Sequence, residues 1–324
     1  MTSFNQLLDQ VNVAIANMKY PAQPTGLYEP IQYVLALGGK RIRPVFLLLA
    51  YSMYRNDPER VMNAALGVET YHNYTLLHDD LMDRADMRRG KETVHKKWDN
   101  NTAILSGDSM LVLACQLILS VKSPEEHEIM ELFIRTALEI GEGQQFDMNF
   151  ETRTDVTEAE YIEMIRLKTS VLIACAIKMG AVLGGASADD AERLYHFGEK
   201  VGLAFQLQDD LLDVYGNPDI FGKRIGGDIL CNKKTFMLIN AYQKANEAQR
   251  QELERWMKLK EYVAEEKIQA VTHLYDDLSI RELCIERINQ YFNEAKDILT
   301  AVELPESSKQ HLWEFAAHLI NRKY

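Results

Sequence analysis

The segment 59–83, ERVMNAALGVETYHNYTLLHDDLMD, decides the fold. Apolar residues recur in it at 61, 64, 65, 68, 71 and 76, and these spacings gather them on one side of an α-helix. Pro58 stands just before it, a residue suited to the first position of a helix. The segment closes on Asp79-Asp80-Leu81-Met82-Asp83, whose spacings of three and four put all three carboxylates on one helical face. Like charges so placed repel, and the arrangement costs stability unless a cation neutralises it.

The same pattern returns at Asp209-Asp210-Leu211-Leu212-Asp213, again closing an apolar helical stretch, 188–215. Hard carboxylate oxygens suit Mg²⁺, which completes its shell with water and substrate phosphates. Basic segments follow both copies: Arg88-Arg89-Gly90-Lys91 after the first, Gly222-Lys223-Arg224 and Lys233-Lys234-Thr235 after the second. A third, Gly38-Gly39-Lys40-Arg41-Ile42-Arg43-Pro44, precedes both. Arginine grips phosphate oxygens bidentately and lysine supplies a point charge. One acidic helix end or one basic loop reads as solvated surface. Two triads alternating with basic segments imply a diphosphate substrate held through Mg²⁺.

The rest of the chain extends the helical reading. Between 59 and 304 only Pro124 and Pro218 interrupt, and no glycine follows Gly227, a composition that permits very long helices. Helices are predicted over 1–20, 31–37, 44–54, 59–82, 102–121, 125–150, 158–184 and 188–215, and then throughout 233–324, with loops at 84–101 and 216–227. No stretch alternates as a strand does, and no Asn-Gly hairpin occurs. With no linker or composition break, the expectation is one all-α domain, 1–324, whose helices enclose a central cavity. Met, Phe and Tyr lining such a cavity below a charged mouth suit a diphosphate with an apolar tail.

Several classes fall away. The formal net charge of −12 argues against a nucleic-acid surface. There is neither a Gly-x-x-x-x-Gly-Lys-Ser/Thr loop nor a kinase signature. The four cysteines have no paired spacing, so buried thiols in a reducing cytosol are expected. The start MTSFNQLLDQ does not read as a signal peptide, and unbroken apolar runs such as 45–50 and 110–115 are too short to cross a bilayer. A cytoplasmic protein with no membrane anchor is the resulting expectation.

On these residues the chain resembles the trans-isoprenyl diphosphate synthases of the polyprenyl synthetase family. The likeness rests on Gly39-Lys40-Arg41-x-Arg43-Pro44, the triad at 79–83 with Arg88-Arg89-Gly90, and Lys168-Thr169. It continues through Phe205-Gln206-x-x-Asp209-Asp210-x-x-Asp213, Gly222-Lys223 and Lys233-x-Thr235. The resemblance implies the isoprenoid synthase fold, usually as a homodimer. It also implies head-to-tail condensation of isopentenyl diphosphate with an allylic diphosphate.

Roles follow from the same resemblance. Asp79, Asp83 and Asp209 would ligate metal, and three Mg²⁺ ions would bridge the allylic diphosphate to both triads. Asp80, Asp210 and Asp213 would act through water or through neighbouring groups. Arg88, Lys168, Lys223 and Lys233 would hold the allylic diphosphate. Lys40, Arg43, His72 and Arg89 would hold isopentenyl diphosphate; His72 alone would read as a structural histidine. Leaving diphosphate gathers negative charge as its carbon–oxygen bond breaks, and aimed cations stabilise that state. Thr169 and Gln206 would offer oxygen dipoles to the allylic cation. No side chain is an obvious base, so the departing diphosphate is the expected proton acceptor.

Product length is read from the helix before the first triad. Tyr74 and Tyr71, five and eight residues before Asp79, lie roughly 7.5 and 12 Å along the axis and would form a floor, while Thr75 is small. The pattern resembles short-chain geranylgeranyl synthases, with farnesyl diphosphate close behind and a longer product as the alternative. A terpene cyclase fits less well. Its second motif is usually replaced by an Asn/Ser/Glu triad, whereas Asp209, Asp210 and Asp213 are intact and Asn217 stands where that triad wants Glu. A non-catalytic partner subunit would be expected to lose a triad or the Lys168-Thr169 pair.

Overall fold

A computed structural model describes residues 3–217 and 225–320, and most of them lie in helices. They fall into two compact units. The first comprises Met1–Ile134, Cys175–Tyr195 and Val302–Phe315, the second Arg135–Ala174, His196–Ala301 and Ala316–Tyr324.

In the first unit, the helix Phe4–Ala16 starts at a reciprocal cap. The Ser3 hydroxyl accepts from the Gln6 N–H, and the Gln6 side chain accepts from the Ser3 N–H at 2.9 Å. The helix buries Leu7, Val11 and Ile15 on one stripe and ends before the predicted residue 20. The helix Thr25–Ala36 starts earlier than predicted, with Pro30 inside it. Pro30 is the sixth residue of that helix, so its missing N–H forfeits one intrahelical bond, the one to the Gly26 carbonyl. The helix Ile42–Ser52 is buried at every position. Phe46 on it meets Phe315 edge-on at 4.8 Å, and Phe315 also lies 5.4 Å from Phe4, so the chain's last segment in this unit closes its first.

Pro58 opens a tight 3₁₀ turn, Pro58–Val61, and the α-helix proper runs Met62–Met82. Its first half, Ala64 through Tyr71, is buried throughout, and beyond it Leu77 rather than Leu76 is buried. Burial of each such large apolar side chain is worth about 1.5–3 kcal/mol, which offsets the repulsion at the acidic end. The loop at 84–101 holds one small departure from the all-helical expectation. Met87–Arg88 and Lys91–Glu92 pair as a two-stranded hairpin. Arg89 and Gly90, at φ 53° and 74°, form its turn, the left-handed pair that such hairpins require.

In the second unit, one apolar cluster runs from Phe150 and Tyr161 through Leu207 and Phe236 to Ile288. The predicted helix 158–184 is interrupted there. Glu158–Ile165 gives way to a wider π turn, Arg166–Ser170, before Val171–Gly184 resumes. That turn carries Lys168 and Thr169. The Thr235 side chain caps the helix Phe236–Lys244 just after Lys233.

All four cysteines are free thiols. Cys175 and Cys284 are buried as expected, but Cys231 is exposed and Cys115 only partly covered. The bilayer reading needs one correction. Counted over whole helices, Asn100–Leu119 and Glu158–Gly184 are long and apolar enough to cross a membrane, because small residues such as Ser106 and Gly107 extend the short apolar runs. The Glu158–Gly184 stretch is mostly buried within the protein, as a core helix is.

Candidate active site

The first unit gathers two kinds of chemistry on one helix. At its C-terminal end, Asp79 is half-buried, Asp80 buried and Asp83 exposed. Asp80 receives the Arg88 Nε–H on both oxygens, at 2.9 and 2.7 Å. Burial still raises its carboxyl above the usual range, with Arg88 opposing. Arg88 and Asp80, both single letters in a motif, are thus each other's partners.

Two turns earlier on the same helix lies His72. Arg43 Nη1 stands 3.1 Å from His72 Nε2. A guanidinium only donates, so Nε2 accepts and the ring proton sits on Nδ1. Burial, then Arg43 and Arg89, holds the imidazole well below its usual range. Arg89 donates to the Gly38 carbonyl and lies across the Gly38–Gly39 turn. The φ of 136° at Gly39 favours glycine, and a Cβ there would meet Arg89 Nη2 at 2.7 Å and push the guanidinium aside. Residues from three separate stretches of sequence (38–43, His72 and Arg89) therefore meet as one cationic cluster. Lys40 is exposed at its edge.

Tyr71 and Tyr74 face the other way from that cluster. Their rings lie 5.4 Å apart, Tyr71 meets Phe133 edge-on at 5.2 Å, and Tyr74 meets His78 at 4.8 Å. The Thr75 hydroxyl donates to the His72 carbonyl at 2.8 Å, satisfied within its own helix.

The second unit holds the other triad. Asp210 is buried and accepts from the Tyr161 hydroxyl and, at 3.0 Å, from Gln206 Nε2. Burial, with Asp228 adding to it, pushes its carboxyl up to about 7. Thr169 Oγ1 donates to Gln206 Oε1 at 3.0 Å. The two oxygens expected to face a cation are thereby bonded to each other, and Gln206 Oε1 is engaged by Thr169. Thr169 keeps its own hydroxyl lone pairs for that task. Asp213 accepts the Asp228 N–H at 2.9 Å and so ties down the turn that leads to Lys233. Lys168 Nζ lies 2.6 Å from Asp147. Burial raises Asp147, but Lys233 and Lys168 outweigh it and hold the carboxyl below the usual range. Lys223 lies outside the described residues.

Sequence reading missed Asp147, Tyr161, Asp228 and Glu69, and it quoted Arg41 within the first basic segment without giving it a role of its own. Glu69 left a visible signal, a lone carboxylate inside the apolar run 64–70. The others are recognisable only once distant segments meet. Asp80, Asp210 and Asp213, the carboxylates read as acting indirectly, each accept a bond from a protein donor. Among the described residues no three metal-type side chains cluster tightly enough to hold an ion alone. Such a donor set fits Mg²⁺, which takes its remaining ligands from water and phosphate.

The polyprenyl synthetase family model matches residues 24–275. The chain belongs to the polyprenyl synthetase family. A geranylgeranyl diphosphate synthase of Methanosarcina mazei is 43% identical over 72% of this chain and 73% of its own length. The geranylgeranyl pyrophosphate synthase of Geoglobus acetivorans is 37% identical over 97% of this chain and 96% of its own. A crystal structure of a geranylgeranyl pyrophosphate synthase, 41% identical, superposes with a TM-score of 0.95 over 100% of both chains. Fold and activity class agree with the expectation from the motifs: an isoprenoid synthase fold and a short-chain trans-prenyltransferase.

Proposed function

We propose that the chain joins isopentenyl diphosphate head to tail to dimethylallyl, geranyl or farnesyl diphosphate, yielding geranylgeranyl or farnesyl diphosphate and releasing diphosphate. One observation carries this reading: a single helix, Met62–Met82, bears a cationic cluster around His72 and an aspartate triad at its end. A cation-binding and an anion-binding group on one rigid rod suit two diphosphates presented to each other.

Lys40, Arg43, His72 and Arg89 would hold isopentenyl diphosphate. Asp79, Asp83 and Asp209 would take Mg²⁺, three ions in all, while Asp80, Asp210 and Asp213 keep the triads and the turn beside them in place. Bound Mg²⁺ supplies positive charge to the leaving diphosphate as its carbon–oxygen bond breaks. Arg88, Lys168, Lys223 and Lys233 add cationic contacts to the same group. Lys168 exchanges Asp147 for phosphate as it does so. The Thr169 hydroxyl lone pairs face the allylic cation. The alkene of isopentenyl diphosphate then bonds to the allylic carbon, and the proton lost passes to the departing diphosphate. The Tyr71 and Tyr74 rings set the floor that limits product length, and Thr75 leaves room above it.

The functional form is a homodimer. The helix Asn100–Leu119 leaves Leu105 and Val112 61% and 59% exposed, one heptad apart, and Leu119 continues the stripe. A soluble surface rarely carries such a stripe without a partner.

The test supplies isopentenyl diphosphate with each allylic diphosphate and sizes the products. Activity should vanish with EDTA and return with Mg²⁺. Asp79→Ala and Asp209→Ala should each lower kcat by ~100-fold or more. Near-normal turnover in either variant rejects the assignment, and a cyclised product without use of isopentenyl diphosphate favours the cyclase.

A further inference from the structure

Arg41 sits between the two cations read as gripping isopentenyl diphosphate, yet its side chain is turned the other way. It is 4% exposed. Its Nη1 donates to Glu69 Oε1 at 2.7 Å, its Nη2 to the Leu35 carbonyl at 2.7 Å and its Nε to Asn12 Oδ1 at 3.2 Å. All three nitrogens of the fork are therefore committed to protein acceptors, one on each of three different helices. Glu69 is equally buried, and its Oε1 also accepts from Asn73 Nδ2 at 3.1 Å.

The backbone explains what such an anchor is for. Gly38, Gly39 and Arg41 all have positive φ, 80°, 136° and 46°. For an arginine that left-handed conformation is unfavourable by itself and persists only where surroundings enforce it. Arg41 is also the cap of the helix Ile42–Ser52, so its position sets where Arg43 enters its first turn and where Lys40 leaves the loop. Around it stand Arg43, Arg89 and His72, and the Glu69 carboxylate counters the charge on both arginines. A side chain that is wholly engaged with the protein touches no substrate; it fixes the backbone from which the neighbours reach.

We infer that Arg41, held by Glu69, Leu35 and Asn12, is the positioning residue for the isopentenyl diphosphate site, setting the geometry of Lys40 and Arg43 without touching the substrate. This rests on the reading of Lys40, Arg43, His72 and Arg89 given above. Its chemistry requires arginine, because a lysine keeps the charge but reaches only one of three diverging acceptors.

The test separates geometry from charge and from folding. Arg41→Lys leaves the cluster's charge unchanged. Arg41→Met with Glu69→Met removes both charges together and replaces the pair by apolar volume, an exchange that buried ion pairs commonly tolerate. In each variant KM for isopentenyl diphosphate should rise ~10-fold or more, while KM for the allylic diphosphate stays within about twofold and kcat within about threefold. A folding defect alone would lower active enzyme without splitting the two KM values. Unchanged KM for isopentenyl diphosphate in either folded variant overturns the inference, as does an equal rise for both substrates. Arg43→Ala is the control on the underlying reading. If it too leaves that KM unchanged, the clamp itself is misassigned; if it raises KM while the Arg41 variants do not, only the positioning role fails.

Discussion

Tyr71 and Tyr74 occupy neighbouring positions on one helix face, yet their substitution should have different consequences. Tyr71 is 2% exposed and wedged against Phe133, so Tyr71→Ala should cost roughly 3–5 kcal/mol and show first as lost stability. Tyr74 is only half-buried. Tyr74→Ala should leave a folded enzyme whose product is at least one isoprene unit longer, read by chromatography of the dephosphorylated alcohols. An unchanged product length would remove Tyr74 from the floor. The sequence marked both residues through their distance from Asp79, a property of helical rise. It did not distinguish them, because Phe133 lies on another segment. The triads behave alike: six aspartates were legible as two sets, whereas the partners of Asp80 and Asp210 were not. Arg88 lies eight residues from its partner and Tyr161 lies 49 from its own, and only folding joins them.

The helix Glu126–Thr152 carries two glycines whose roles differ through what packs on them. A Cβ at Gly141 would meet nothing within 4 Å. At Gly143 it would meet the Lys168 amide nitrogen at 2.4 Å, and at Gly202, on the helix Ala188–Tyr215, the Ser170 Cα at 2.6 Å. Two glycines on different helices thus admit the π turn that presents Lys168 and Thr169. Gly143→Ala should destabilise the protein by about 1–3 kcal/mol through overpacking and should lower kcat by displacing Lys168. Gly141→Ala should hold or raise stability by up to about 1 kcal/mol and leave kcat unchanged. Thermal unfolding and steady-state kinetics on the pair decide this, and equal behaviour of the two variants would contradict it. The apolar pattern of 158–184 read as one continuous helix because a single widened turn adds no break in composition. A close backbone approach is a property of two elements and cannot be seen in either alone.

At the scale of the molecule, net charge is a poor guide to the substrate. The chain carries −12, which opposes nucleic acid, yet a short basic segment follows each aspartate triad where diphosphate chemistry is read. The exposed stripe on Asn100–Leu119 provides a test of assembly. Leu105→Glu with Val112→Glu should convert the proposed dimer to a species of 37.2 kDa, measured by light scattering after size exclusion. A mass unaffected by the pair would place the interface elsewhere. What the sequence by itself determined is periodic and local: long helices from scarce proline and glycine, carboxylate triads at helix ends, and the family those motifs identify. What only the tertiary structure decided is which charges are already spoken for: Arg41 by Glu69, Arg88 by Asp80, Lys168 by Asp147. The physical reason is that helical phase follows from spacing along the chain. The pairing of buried charges depends instead on which distant segments share one desolvated space, where an unpartnered charge is too costly to remain.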